Sequence, residues 1–463
     1  MKMWLAILLP MIVAISAAQS LEEKIDAKIR ELITSRRVPG AAFAWVKDGK
    51  IVFEKGFGFA DLKSKKKVTP NTVFKLASLT KQFTAAIILQ LMDEGKLKLD
   101  DPISLYVPKT PETWNRITIR QLLNHTSGIK NYTEMDRFGK LTNTPTDEAG
   151  FLQLVGGEPL DFEPGTRFHY SNSGYFLLGL IAEHVTGKPM ATLTSDRIFK
   201  PLGMDHTRLM QSSEVVPGLA TGYDALDSGP RETSPIDMSW PFTAGGMAST
   251  VDDVAKWDAA LYSDKVLPQA IWKQAWAPGK LSDGTSIQYG FGWVIGKINQ
   301  AEIVEHAGDI NGFNADILRI PSKKLTLITL CNANPGIAER ANFDIAGIID
   351  PALKVEVPGP IKDVHPEMTA ADRELMMNLL EQTLKPERFG DKLKSLLFPD
   401  GYKDLAMRLR QLGDVEDFRL IAESAGEGVK RRVYLVQFRQ ANLKFTLVKD
   451  RSGQIIGLTF SPV

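Results

Sequence analysis

Cysteine is all but missing from this chain: Cys331 is the single one among 463 residues, so no internal disulfide can brace the fold. Its setting, Leu325-Thr-Leu-Ile-Thr-Leu-Cys331, reads as a strand that packs the thiol in a core. A charge excess is missing as well. The 56 Lys and Arg stand against 55 Asp and Glu, a net of +1, which removes the electrostatic case for nucleic acid or an anionic membrane as partner. Histidine is scarce at six, and neither His-Glu-x-x-His nor clustered His-x-His occurs, which argues against a metal centre. There is no Gly-x-Ser-x-Gly elbow, no P-loop and no dinucleotide fingerprint. Chemistry without cofactor or metal is the expectation.

Long apolar runs are also scarce. The one at the start combines Lys2, the apolar stretch Leu5 to Ile15 and the small residues Ser16-Ala17-Ala18. It is shorter than the about 20 residues that cross a bilayer. Residues 1–18 therefore read as a secretory signal peptide, which predicts an exported, periplasmic or extracellular chain without a membrane span.

What is present exceeds one ordinary core. Leu21 to Arg37 is amphipathic, and Pro39-Gly40 stops it. Ala41 to Val46 and Ile51 to Phe57 flank an Asp48-Gly49 hairpin turn. Helices and loops fill Ile117 to Met210, among them a helix from about Ser173 to Val185 with Asn172 as its expected N-cap. Strand patterns return at Gln288 to Ile298, Phe313 to Ile320 and Leu325 to Cys331, and a helix from about Gly336 to Ile349 closes the unit. Hairpins at both ends with helices between predict an α+β domain: an antiparallel sheet flanked by helices, with an inserted all-helical region. That domain is placed at 19–355. A proline-rich linker follows at 356–366, then a small α+β accessory domain at 367–463 with three expected strands, which either packs near a site mouth or mediates oligomerisation.

Three Ser-x-x-Lys pairs occur: Ser64/Lys67, Ser78/Lys81 and Ser127/Lys130. Ser64 sits in a lysine-rich turn and Ser127 in a loop. Only Ser78 heads a long apolar helix, where i and i+3 share a face and the N-terminal N–H groups favour developing negative charge. An ammonium buried in an apolar setting like the run Phe83 to Met92 that follows Lys81 is costly unless it has partners or a task.

Phe74-Lys-Leu-Ala-Ser-Leu-Thr-Lys81, then Leu122-Leu-Asn-His-Thr-Ser-Gly128, Tyr170-Ser-Asn172 and His306-Ala-Gly308, resemble the serine β-lactamase/penicillin-binding protein superfamily. The likeness is to the class C β-lactamase, D-Ala-D-Ala carboxypeptidase and esterase branch, over about Leu21 to Ile349. It implies Ser78 as nucleophile, Lys81 in proton transfer and Tyr170 as general base. Asn172, His306 and Gly308 would hold substrate, and the backbone N–H groups of Ser78 and Asp309 would form an oxyanion hole. The chemistry is coherent, because a serine hydroxyl needs a base within reach. Bringing a tyrosine from about 10 to about 7 takes roughly 4 kcal/mol. A cation at about 4 Å in an effective dielectric near 20 supplies about that much. His125 reads as a loop hydrogen-bonding residue.

One departure matters. His306 stands where many members carry lysine, a permanent cation for a substrate carboxylate; histidine is charged only below about pH 6.5. Efficient β-lactam binding is therefore not expected. The leading expectation is a serine hydrolase acting through an acyl-enzyme on a small-molecule or peptide substrate, with a D-amino-acid peptide or small ester favoured. A non-catalytic penicillin or ligand receptor, or a true β-lactamase, are the alternatives.

Overall fold

The computed structural model describes residues 19–212, 214–226, 228–356, 358–399, 401–410, 412–426, 428–439 and 442–462. The signal-peptide segment expected at 1–18 lies outside the described residues. Among these residues no helix is long and apolar enough to cross a membrane.

The chain opens with helix α1 (Leu21–Arg36), whose Ser20 and Glu23 form a reciprocal capping box. The hairpin β1 (Gly40–Lys47) and β2 (Lys50–Asp61) follows. Four later strands, β3 (Val294–Ile298), β4 (Ala301–Ile310), β5 (Phe313–Ile320) and β6 (Leu325–Cys331), join it. The order is β3-β4-β5-β6-β1-β2, with Lys66-Lys67 at the far edge, all antiparallel. Both ends of the domain thus meet between β1 and β6, with Ala44 opposite Ile328. The strand pattern read over Gln288 to Ile298 is regular only from Val294; Tyr289 makes an isolated bridge there instead.

Each face of this sheet is covered. On one, α1 and the closing helix Ala338–Ile349 share a core with Ile29, Phe43, Leu318, Leu327 and Cys331. Cys331 is fully buried, and burial pushes its thiol up to about 12, so it stays an inert thiol. On the other face lies the larger core, centred on helix α2 (Thr80–Asp93) and helix α3 (Asn172–Thr186). Eleven of the 14 residues of α2 are buried, Lys81 among them, so α2 is a central helix rather than an amphipathic one.

A buried ion pair ties the helical layer to the sheet. Arg319 Nε on β5 lies 2.6 Å from Asp258 Oδ1 on the helix Val251–Ala260, and Thr326 donates to the same oxygen at 2.9 Å. Both charged side chains are shut off from solvent, and the guanidinium lies 4.8 Å from the ring centres of Tyr262 and Trp276.

After the helix Ala338–Ile349, helix Pro366–Leu380 and two shorter helices cover a four-stranded antiparallel sheet, Val415–Gly426, Val429–Phe438, Asn442–Asp450 and Ile455–Pro462. The first of these strands adds to the three expected from sequence; Glu416, Asp417 and Arg419 interrupt its apolar alternation. Arg432 is buried against Asp363 (2.8 Å) and Glu423 (2.7 Å), and Arg36 at the end of α1 pairs with Glu416 at 3.2 Å. That contact lies on the α1 side of the large sheet.

Arg319→Ala is expected to lower unfolding free energy by about 3–5 kcal/mol, because it strands the Asp258 carboxylate in the core. The double change Arg319→Met with Asp258→Leu is expected to recover most of that loss. Urea unfolding of the two variants against wild type measures both.

Candidate active site

The site is built where α2 begins. Ala77 adopts φ +48°, a left-handed conformation rare for a residue with a side chain, and the 3₁₀ turn Ala77–Leu79 leads straight into α2. This bend sets Ser78 at the head of the helix, partly open to solvent, with Lys81 one turn on and fully buried. β4 runs directly behind it. A Cβ on Gly308 would lie 2.5 Å from the Leu76 carbonyl and 3.0 Å from the Ser78 nitrogen. Only glycine lets the strand come this close.

Two side chains meet at the serine, and a third holds one of them. Lys81 Nζ lies 3.1 Å from Ser78 Oγ, 2.8 Å from Asn172 Oδ1 and 2.8 Å from the Ala244 carbonyl. The Tyr170 hydroxyl donates to Ser78 Oγ at 2.9 Å. Ser78, Lys81, Tyr170 and Asn172, far apart in sequence, are thus brought to one point. Asn172 differs from its expected place: the N-cap is Ser171, without a side-chain cap bond, and Asn172 is the first residue of α3. Its side chain turns to Lys81 instead of capping the helix.

The Asn172 amide is itself oriented. Its Nδ2 donates to Thr133 Oγ1 at 3.2 Å, and Thr133 donates onward to Asn131 Oδ1 at 3.0 Å, which also accepts the Asn172 N–H at 3.1 Å. The chain keeps the Asn172 carbonyl on the lysine. Asn131 and Thr133 were not singled out from the sequence, because no motif marks them. The stretch Ala244 to Thr250 does resemble one that recurs in the same family branch, but the role of the Ala244 carbonyl stayed hidden because a backbone acceptor leaves no trace in residue types.

His306 sits 3% exposed on β4. Its Nδ1 is 2.6 Å from the Ala307 carbonyl, which can only accept, so Nδ1 carries the proton. Nε2 then accepts from the Tyr289 hydroxyl at 2.9 Å. Both ring nitrogens are engaged within the chain. Burial, and then the neighbouring Lys81, push the imidazole down to about 3, so it is neutral and adds no cation. Tyr289, fully buried, is a further residue that sequence reasoning missed, since it lies outside every recognisable motif.

The protons also sit differently from the sequence expectation. Burial drives the Lys81 ammonium well below the ordinary lysine value, and burial pushes the Tyr170 phenol up despite the Ser78 hydrogen bond. Burial thus works against both charged forms of an ammonium–phenolate pair. Of the other Ser-x-x-Lys pairs, Lys130 binds Asp161 at 2.9 Å, and Ser64 lies in an exposed turn.

Residues 25–347 match the family model described as Beta-lactamase. The chain belongs to that family. It is 31% identical over 335 residues to the protein flp of Staphylococcus aureus strain MW2, covering 70% of this chain and 66% of that one. The chain thus spans just under two thirds of that relative's length. It is 26% identical over 404 residues to a D-aminopeptidase of Gluconobacter oxydans, covering 86% of this chain and 75% of the relative. Among solved structures, an octameric penicillin-binding protein homologue from Pyrococcus abyssi superposes with a TM-score of 0.63 at 22% identity, over 95% of this chain and 96% of that one. It shares the fold. A D-stereospecific amidohydrolase from a Streptomyces species gives 0.59 at 25% identity, over 69% and 97%. The antiparallel sheet, its covering helices and the additional C-terminal β domain agree with the α+β reading.

The buried neutral imidazole of His306 has a stability consequence. Its folded pKa of about 3 lies below the unfolded value of about 6.5. The unfolded chain therefore binds the extra proton first, and stability falls as pH drops from about 6.5 toward 3, by up to roughly 1.4 kcal/mol per unit. Thermal unfolding between pH 7 and 4 is expected to show that loss. A His306→Gln variant, which has no proton to take up, is expected to have a shallower slope.

Proposed function

We propose that this protein is an exported serine peptidase or amidase of the Beta-lactamase family, forming an acyl-enzyme on Ser78 and favouring D-amino-acid amides and peptides. The observation that carries the reading is Ser78 Oγ held between Lys81 Nζ at 3.1 Å and the Tyr170 hydroxyl at 2.9 Å. The similarity to a D-aminopeptidase and to a D-stereospecific amidohydrolase supports the choice of bond and of stereochemistry.

The electron and proton bookkeeping follows from the resting protonation. Ser78 Oγ attacks the substrate carbonyl carbon while its proton passes to the neutral Lys81 amine. The resulting oxyanion is received by the backbone N–H groups of Ser78 and Asp309, a placement the closeness of Gly308 to Ser78 allows. As the C–N bond breaks, Tyr170 gives its hydroxyl proton to the leaving nitrogen, and the phenolate then takes the proton from Lys81. Water attacks the ester by the same steps reversed. Lys81 and Tyr170 act as one proton-handling pair, with lysine rather than tyrosine receiving the serine proton. Asn172 steadies the ammonium as it forms.

The same electrostatics select the substrate. With His306 neutral, no cation stands on β4 to receive a carboxylate. A carboxypeptidase substrate or a β-lactam would bury its carboxylate unpaired, at a cost of a few kcal/mol. Amides, N-terminal D-residues and esters carry no such group.

Intact-mass measurement after a fluorophosphonate is expected to show one adduct on wild type and none on Ser78→Ala. An unlabelled wild type would leave the receptor reading standing. In a panel of D- and L-aminoacyl p-nitroanilides, D-Ala-terminated peptides, p-nitrophenyl esters and nitrocefin, the D-aminoacyl amides are expected to lead. Lys81→Met is expected to lower kcat/KM by at least about 10²-fold, the span of a lost general base. Because the amine must be unprotonated, kcat/KM is expected to rise with pH through an acid limb well below the ordinary lysine value, and His306→Gln is expected to leave that limb in place.

A further inference from the structure

Tyr170 hangs on a short loop between Arg167 and the start of α3, and nothing in its own sequence makes such a loop rigid. His125 supplies what the loop lacks. Its backbone takes φ +58°, left-handed, in the loop after the helix Ile119–Leu123. In that conformation its carbonyl accepts the His169 N–H at 2.9 Å, and its ring Nδ1 accepts the Ser171 N–H at 3.1 Å. The two residues on either side of Tyr170 are thus both pinned to one histidine. The His125 ring also packs against the Tyr170 ring, with centroids 4.3 Å apart and planes tilted by 39°.

The ring's other side is closed by aromatic groups. Tyr289 lies at 4.6 Å and Tyr175 at 5.1 Å, and Phe168 meets it edge-on at 6.1 Å. Since Nδ1 accepts, the ring proton sits on Nε2, and that buried nitrogen has no hydrogen-bond partner among the described residues. A side chain 1% exposed that leaves a polar atom unpaired is not explained by its own stability. The Nδ1 contact requires a neutral imidazole, and burial holds His125 well below the ordinary histidine value.

We infer that His125 is a positioning residue for Tyr170: by gripping the loop at His169 and Ser171 and packing under the phenol, it fixes the tyrosine hydroxyl on Ser78 Oγ. The inference rests on the acyl-enzyme reading for its catalytic consequence, though not for the grip itself. His125 touches neither Ser78 nor Lys81 by hydrogen bond, so its effect has to pass through Tyr170. A displacement of about 1 Å at a reacting group costs on the order of 10²-fold in rate.

A double-mutant cycle separates this role from a general structural one. His125→Phe keeps a ring and removes the acceptor; His125→Asn keeps an acceptor near the place of Nδ1 and removes the ring contact. The readout is the second-order rate of fluorophosphonate labelling, with amide hydrogen exchange over residues 167–173. In the wild-type background, His125→Phe is expected to slow labelling between about 10- and 100-fold, and His125→Asn less. In a Tyr170→Phe background, either change is expected to cost less than about 2-fold, because the group being positioned is gone. Equal losses in both backgrounds would overturn the inference, as would unchanged labelling by both variants. Should His125→Phe not fold, His125→Asn carries the cycle alone. If wild type is not labelled at all, the acyl-enzyme reading fails first. Hydrogen exchange then decides on the grip: at least about 10-fold faster exchange at Ser171 in His125→Phe supports it, and unchanged exchange removes it.

Discussion

The whole site depends on a lysine side chain held where water cannot reach it. Placing Lys81 inside the helix Thr80–Asp93 would cost several kcal/mol as an ammonium without partners. The fold answers that cost in two ways at once. Three oxygens, from Ser78, Asn172 and the Ala244 carbonyl, converge on Nζ within 3.1 Å. Burial also favours the uncharged amine. A neutral amine beside a serine hydroxyl is a base, so the arrangement that makes the lysine tolerable is also what makes it reactive. The one-turn helix Phe242–Gly245, the start of α3 and the bend at Ala77 each exist at this point to deliver one of those oxygens.

Neutrality extends outward from the lysine. His306 and His125 are both buried imidazoles held uncharged, and each surrenders a lone pair to an internal donor, Tyr289 or the Ser171 amide. A charged histidine at either position would sit within the field of a lysine that, in the proposed mechanism, itself becomes charged. Under the proposed mechanism, keeping both neutral leaves the developing ammonium of Lys81 as the one new positive charge, close to the oxyanion it would stabilise. Electrostatic catalysis is strongest when the responding dipoles are already in place, and in the proposed mechanism they are backbone N–H groups and fixed side-chain amides.

The sequence made the layout of this site legible because its chemistry is carried by residue types at short spacings. Ser78 and Lys81 share a helical face, Tyr170 and Asn172 share one loop, and His306-Ala-Gly308 needs its glycine where β4 crosses the serine. The antiparallel sheet was readable too, since Ala41 to Val46 and Leu325 to Cys331 are continuous apolar runs bounded by turns. What stayed hidden depends on three-dimensional neighbours. Asn172 looks like a cap because asparagine before an apolar helix usually is one. Its real task was set by a lysine 91 positions away. The charge states were hidden for the same reason: Lys81 was expected to lower the phenol of Tyr170, but burial acts on both groups, and in opposite senses. The extra C-terminal strand, Val415–Gly426, was missed because charged residues break the alternation that marks a strand.

These features also bear on the proposed substrate preference. A permanent cation on the strand facing the serine would draw carboxylates, and it would also raise the cost of protonating Lys81 a few ångströms away. Replacing it by a histidine whose two nitrogens are satisfied internally removes both effects together. Under the proposed mechanism, affinity for an anionic substrate and ease of proton transfer to lysine are coupled properties, set by one position. Carboxylate recognition would therefore need a cation placed farther from Lys81 than β4 permits, or a proton acceptor other than the amine. The hydrogen bond from Tyr289 to His306 is the interaction that holds the chain to its uncharged solution.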